Sequence, residues 1–326
     1  MNNYFLYIVV FLSTLIMTLL IESAIINPLS RMAKQPIYNE GPSWHCNKSG
    51  TPTMGGIAFV VAICLSLLIT GLIMILVYGK ISHIELVIVS LFALGNSLIG
   101  IVDDLTKIRR KHNSGLTPMQ KIIFQSILSV LFLMARKRFL GDTTILTLPF
   151  FRLDLGVFYY IFCLIVLLGI INCANLTDGI DGLASSVAIA IAAAFLMIGV
   201  SSSLEVGIIS SALLGGALAF LVFNANPAKI FMGDTGSLFL GAITVAMAFS
   251  AKNPAIIIPI GIVYVLEGIS VILQVICYKL TKKRLFKMAP IHHHFEKCGI
   301  RENTICVIAV IITLVCSSVV GLFFRG

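Results

Sequence analysis

About ten stretches of this chain are apolar for long enough, or nearly so, to cross a lipid bilayer, and that limits the fold before any motif is read. They lie near 4–26, 54–78, 84–102, 118–135, 157–174, 183–200, 206–223, 237–251, 255–278 and 304–324. Backbone in hydrocarbon must satisfy its N–H and C=O groups within its own segment. No barrel-like alternation runs through these stretches, so each is expected to be a helix. The expected fold class is all-α, a polytopic integral membrane protein with about ten transmembrane helices. One domain over residues 1–326 is the economical organisation, because no internal repeat or low-complexity linker divides the chain. The segments at 118–135 and 237–251 are short and flanked by polar residues, and Pro259 and Gly268 are placed to kink or break the ninth. The first few residues lack the basic region and small-residue cleavage site of a signal peptide, so Tyr4–Ile26 is expected to be a retained helix.

With 58% hydrophobic and 11% charged residues and a mean hydropathy of +1.04, the chain has no polar shell with which to enclose a soluble core. Its net charge of +9 sits in short loops between apolar runs, a pattern that reports orientation and suits anionic substrates and lipid headgroups, with no nucleic-acid partner implied. The eight cysteines form no CxxC pair and mostly lie inside apolar runs, which argues against a disulfide framework or a zinc site.

Ten crossings place the loops 27–53, 103–117, 175–182, 224–236 and 279–303 on one side. About 15 of the 23 Lys and Arg residues fall there, against about seven opposite, four of these between 136 and 152. The positive-inside rule makes the loop-rich face cytoplasmic and puts both termini outside. Asp103, Asp104, Asp178, Asp181 and Asp234 share that face, as do His45, His112 and the triplet His292, His293 and His294. A transporter is expected to keep ionisable groups at mid-membrane depth, yet only Glu267 is a candidate there. This distribution suits an interfacial enzyme.

Five loop motifs carry the chemistry. In Gly100-Ile101-Val102-Asp103-Asp104-Leu105-Thr106-Lys107, neighbouring carboxylates point about 100° apart on a helix, so one can face a metal or nucleophile while the other orients it. Lys107 follows Asp103 by one turn and can contact a phosphate, although a solvated helix end with a surface ion pair has the same spacing. In Asn175-Leu176-Thr177-Asp178-Gly179-Ile180-Asp181-Gly182, Asn175, Asp178 and Asp181 recur every third residue, and the glycines admit a ligand to the backbone. Helix capping by Asn, Thr and Asp is the competing explanation. In the stretch from Asn224 to Ser237, Asp234 with Gly, Thr and Ser offers hard oxygens suited to Mg²⁺ beside amides suited to phosphate. Phe231 can stack on a base or anchor the loop in the interface. Three consecutive imidazoles, His292-His293-His294, cannot all turn to one metal, so they are read as separate donors to phosphate or sugar. In Lys48-Ser49-Gly50-Thr51-Pro52-Thr53, Lys48 and Thr53 can contact an anion, or simply open a helix.

In this order, KSGTPTMGG, DDLTK, NLTDGIDG, FNANPAKIFMGDTGSL and PIHHHFE resemble the polyprenyl-phosphate N-acetylhexosamine-1-phosphate transferase superfamily over residues 40 to 300. The PIHHHFE segment resembles its muramoyl-pentapeptide branch. The resemblance implies transfer of phospho-N-acetylmuramoyl-pentapeptide from its UDP conjugate to undecaprenyl phosphate, giving lipid I and UMP with Mg²⁺, in peptidoglycan synthesis at the bacterial inner (cytoplasmic) membrane. It implies Asp234 as the Mg²⁺ ligand, Asp103 as base for the lipid phosphate, and Asp104 in support of metal or phosphates. It also implies a nucleoside-diphosphate pocket of Lys48, Asn175, Asp178, Asp181 and Phe231, with Lys107, Lys111 and Lys121 on phosphates, and a homodimer. Trp44-His45-Cys46 and His112-Asn113 depart from the family pattern. A sister transferase acting on another UDP-HexNAc and an ion-coupled transporter of an anionic solute stay open as alternatives.

Overall fold

The computed structural model describes residues 3–32, 50–79, 83–110, 114–147 and 151–323. Lys48 and Lys111, and with them His45 and His112, lie outside the described residues. The described chain is almost entirely helical. Among the described residues, nine helices are long and apolar enough to cross a membrane: α1 (Asn3–Met32), α2 (Gly56–Tyr78), α3 (Ile84–Arg110), α4 (Pro118–Leu140), α5 (Phe158–Thr177), α6 (Leu183–Ser202), α7 (Leu204–Asn224), α10 (Ile262–Thr281) and α12 (Glu302–Phe323). The all-α, polytopic membrane architecture expected from the apolar periodicity is the one observed.

The tenth expected crossing is the helix α8 (Gly233–Ser250), which is 18 residues long and falls outside that apolar set. Every residue from Thr235 through Ser250 is buried against protein, chiefly α3, α5 and α2, so neighbouring helices replace lipid as its surroundings. The ninth stretch does break, but one residue pair beyond Pro259. A 3₁₀ turn (Pro254–Ile256) and the short α9 (Ile257–Ile260) end at Gly261, and α10 starts afresh at Ile262. Gly268 does not break the helix. A Cβ there would stand 2.2 Å from Cys173 Sγ, so it instead lets α10 lie close to α5.

Two local signals set where the site helices begin and meet. The doubtful fourth segment starts firmly because Thr117 and Gln120 form a reciprocal capping box ahead of Pro118, worth about 1 kcal/mol. At Gly100 the backbones of α3 and α8 touch, since a Cβ would sit 2.2 Å from the carbonyl oxygen of Asp234. That contact brings the next turn of α3, with Asp103 and Asp104, beside the start of α8.

The opposite end carries two features the sequence did not disclose. A small antiparallel hairpin, β1 (Ile145–Thr147) with β2 (Arg152–Asp154), joins α4 to α5. Beside it Arg136 is 1% exposed and bonds Glu85 (2.7 Å), Asp142 (2.6 Å) and the carbonyl of Phe249 (2.7 Å), tying α3, α4 and α8 together.

Candidate active site

The start of α8 is where the site is assembled. Met232 provides no side-chain cap for that helix. Asp104, reaching across from α3, does so in trans: its Oδ1 accepts from the N–H of Asp234 (3.1 Å), and its Oδ2 from the N–H (2.9 Å) and hydroxyl (2.7 Å) of Thr235. A carboxylate on the first-turn amides also meets the positive end of the helix dipole. With 3% exposure and both oxygens engaged, Asp104 holds Asp234 in place.

Asp103 points differently. It is fully buried; its Oδ1 accepts from the N–H of Leu116 (2.7 Å) and faces Lys121 Nζ (3.0 Å), while its Oδ2 lies 2.6 Å from Lys107 Nζ. Lys121 also pairs with Asp234, whose Oδ1 stands 3.3 Å from Lys107. Three carboxylates and two ammonium groups thus interlock. One oxygen from each of Asp103, Asp104 and Asp234 falls within 4.8 Å of the others, a spacing at which one divalent cation can be shared. These are hard anionic oxygens with no sulfur or nitrogen ligand among them, which fits Mg²⁺ in preference to a softer metal.

The remaining expected residues divide between facing this centre and framing it. Lys107 follows Asp103 by one turn and binds it, as the spacing allowed, and the same ammonium reaches a second carboxylate on another helix. The regular spacing of Asn175, Asp178 and Asp181 is not a helical face, because α5 ends at Thr177 and the chain turns through Gly182 at φ 77°. Asn175 Oδ1 accepts from Ser237 of α8 (2.7 Å). Asp178 is partly exposed. Burial first, then the negative charges of Asp234, Asp104 and Asp181, hold its carboxyl well above the usual carboxylate range. Asp181 is 4% exposed and clamps the α7–α8 loop, its Oδ2 accepting from Asn226 (3.1 Å) and from the N–H of Ala228 (3.0 Å), while its own N–H donates to Glu302.

Asn224 is committed to the scaffold. Its amide oxygen accepts from Gly182 and Ser185, and its NH₂ donates to the carbonyl of Ile230. Phe231 is half-buried in a loop stitched to the entry of α2 by backbone bonds, Phe231 N–H to the Pro52 carbonyl and Gly55 N–H to the Phe231 carbonyl. Thr53 is buried there, its hydroxyl 2.9 Å from where a Cβ on Gly233 would sit.

The three histidines take separate partners, as adjacency on a helix requires. His292 Nδ1 faces Glu267 Oε2 (3.0 Å), His293 Nδ1 faces Glu296 Oε2 (2.5 Å), and His294 Nδ1 accepts from the N–H of Lys287 (3.1 Å). His292 meets the Asp178–Gly182 turn at Gly179, where a Cβ would stand 2.2 Å from its Nε2. His294 turns to Phe286 and the α10–α11 loop, α11 being Ile291–Lys297. Sequence reading passed over Glu302 and the Glu267–His292 pair, and did not foresee that Ser237 bonds Asn175. Glu267 alone had left a signal, as the single carboxylate deep within an apolar stretch.

The chain is similar to known proteins over most of its length. The glycosyl transferase family 4 model matches residues 86–252, and a phospho-N-acetylmuramoyl-pentapeptide-transferase signature matches residues 48–60. The chain is 42% identical over 317 residues to the phospho-N-acetylmuramoyl-pentapeptide-transferase of Desulfitobacterium hafniense, covering 92% of each. It is 45% identical over 301 residues to that of Bacillus subtilis (90% of this chain, 91% of the relative), and 43% identical over 284 residues to one from Clostridium botulinum (86% and 85%).

Proposed function

The chain belongs to the phospho-N-acetylmuramoyl-pentapeptide-transferase family, and from that premise we propose that it transfers phospho-N-acetylmuramoyl-pentapeptide from UDP to undecaprenyl phosphate, giving lipid I and UMP. The observation that carries the reading is the interlocked set Asp103, Asp104, Asp234, Lys107 and Lys121 at the α3–α4–α8 junction. Phosphoryl transfer asks a protein mainly for positioning and charge neutralisation, and this set offers anionic metal ligands beside cationic phosphate ligands.

We assign the parts as follows. Asp234 and Asp103, with Asp104 behind them, would hold Mg²⁺, which when bound neutralises charge on the diphosphate. Lys107 and Lys121 exchange carboxylate for phosphate oxygens as substrate enters. The lipid phosphate attacks the β-phosphorus, a P–O bond forms, the bond to the α-phosphate breaks, and UMP leaves with that electron pair. Asp103, held between two ammonium groups, orients them toward the phosphates more than it accepts a proton, and a phosphate monoester largely ionised near neutrality needs little such help. Its enclosure also favours direct attack by the lipid phosphate over an aspartyl intermediate, since a nucleophilic carboxylate needs an open face. By resemblance, Lys48, Asn175, Asp178 and Phe231 would serve the nucleoside side, and Lys111 a phosphate.

The test of substrate is turnover of purified protein with UDP-MurNAc-pentapeptide and undecaprenyl phosphate, compared with UDP-GlcNAc. UMP release and lipid product are expected only with the first. Preference for UDP-GlcNAc would move the chain to a sister transferase, and liposome uptake without lipid product would make it a transporter. Without lipid phosphate, no stoichiometric UMP release and no label on an aspartate are expected.

We also propose that the chain is one domain whose reaction face is cytoplasmic in the bacterial inner membrane. Internal pairing of Arg136 supports this orientation, because it removes one of the about seven basic residues on the opposite side from the count that opposes it. The homodimer rests on family resemblance, and light scattering of the protein in nanodiscs checks it: a protomer-sized mass would remove it.

A further inference from the structure

Glu267 lies on α10, buried at 3% exposure inside a helix otherwise suited to lipid. A buried carboxylate is costly without partners. Among the described residues its carboxylate is partnered by His292: Oε2 lies 3.0 Å from His292 Nδ1 and 3.4 Å from the His292 backbone N–H. A carboxylate can only accept, so Nδ1 must be the protonated nitrogen, and the ring is fixed in orientation as well as tautomer.

The other nitrogen is then the working one. His292 Nε2 is buried and has no hydrogen-bond partner among the described residues. It looks onto Gly179, where a Cβ would stand only 2.2 Å away. Gly179 follows Asp178, whose carboxyl lies in the field of Asp104 and Asp234. The unpartnered nitrogen is thus aimed at the turn that borders the aspartate centre, and only glycine allows it so near the backbone.

We propose that Glu267 is a positioning residue for the transfer reaction, holding His292 so that Nε2 is presented to a phosphate oxygen of the nucleoside-diphosphate sugar. The inference rests on the transferase reading. With Nδ1–H donated to Glu267, a second proton on Nε2 makes a cationic donor between two anions. It hydrogen-bonds the diphosphate as charge builds on the departing UMP oxygen, with no covalent step on the ring.

A double-mutant cycle in the full-length protein tests this. Glu267→Leu is expected to lower kcat about 10- to 100-fold, the usual loss when a histidine's carboxylate partner is removed, with KM for the UDP-sugar changed far less. Glu267→Gln keeps an acceptor for Nδ1–H and should recover part of that loss. In a His292→Ala background, Glu267→Leu should lower kcat less than about threefold further, because the two residues act as one unit. Independent, multiplying losses would overturn the proposal, leaving Glu267 a packing residue. Should Glu267→Leu not fold, Glu267→Gln carries the same cycle, with a kcat loss that vanishes when His292 is absent as the expected result. Wild-type protein inactive with both substrates would instead sink the transferase reading itself.

Discussion

Asp234 and Asp178 sit at the same end of the molecule in different company. Asp234 has a lysine on each oxygen and two further carboxylates within reach, whereas Asp178 has carboxylates around it and is raised by burial and by their charge. Asp234→Asn should therefore abolish Mg²⁺-dependent turnover while the protein keeps its melting temperature within a few degrees. Near-native activity that still depended on Mg²⁺ would remove Asp234 from the metal site. Asp103→Asn should leave measurable turnover, because Asp103 orients Lys107 and Lys121 beside the cation while Asp234 keeps its own oxygens for it. For Asp178 the readout is stability. Its carboxyl is raised in the folded state, so folding takes up a proton, and the stabilisation is complete below about pH 4 and lost as pH climbs through the folded value. In EDTA, the wild-type melting temperature should fall more steeply from acid to neutral pH than that of Asp178→Asn. Parallel curves would show that Asp178 ionises freely.

At the level of elements, the first turn of α8 depends on a carboxylate from α3. Asp104→Ala leaves the amides of Asp234 and Thr235 without acceptors, and losing a helix cap costs about 0.5–2 kcal/mol. Thermal unfolding in detergent should register a lowered midpoint, and an unchanged midpoint would mean that water replaces the cap. Such a relation was not legible in the sequence, where Asp103-Asp104 and Gly233-Asp234 are two motifs 130 positions apart. Helix starts were legible because they are written locally, as Thr117-Pro118-Met119-Gln120 shows. The gathering of aspartates followed from counting crossings. Their division of labour did not, since Asp104, Asp181 and Asn224 are all plausible ligands until their oxygens are found already engaged. Asn224 and Asp181 proved to be struts for the α7–α8 loop. The hairpin of α4–α5 was illegible because three-residue strands leave no periodicity to read.

Over the whole molecule, polar groups divide between two ends of a helical bundle. The reaction end gathers loops after α3, α5, α7 and α10, and the far end is closed by Arg136 with Glu85 and Asp142. Cysteine substitutions at the exposed Lys283 and Lys297, on a cysteine-free background, should react with membrane-impermeant reagent only after the membrane is opened. Labelling from outside intact cells would invert the orientation. The enclosed α8 adds a constraint on how the protein is made. A helix led by Gly-Asp-Thr-Gly-Ser and enclosed by protein from Thr235 through Ser250 meets other helices where a lone span would meet lipid. The bed it enters is made by α2, α3 and α5, all synthesised earlier. Its insertion is therefore an act of assembly as much as of partitioning, and the aspartate that completes the reaction centre reaches its place only after the walls around it are standing.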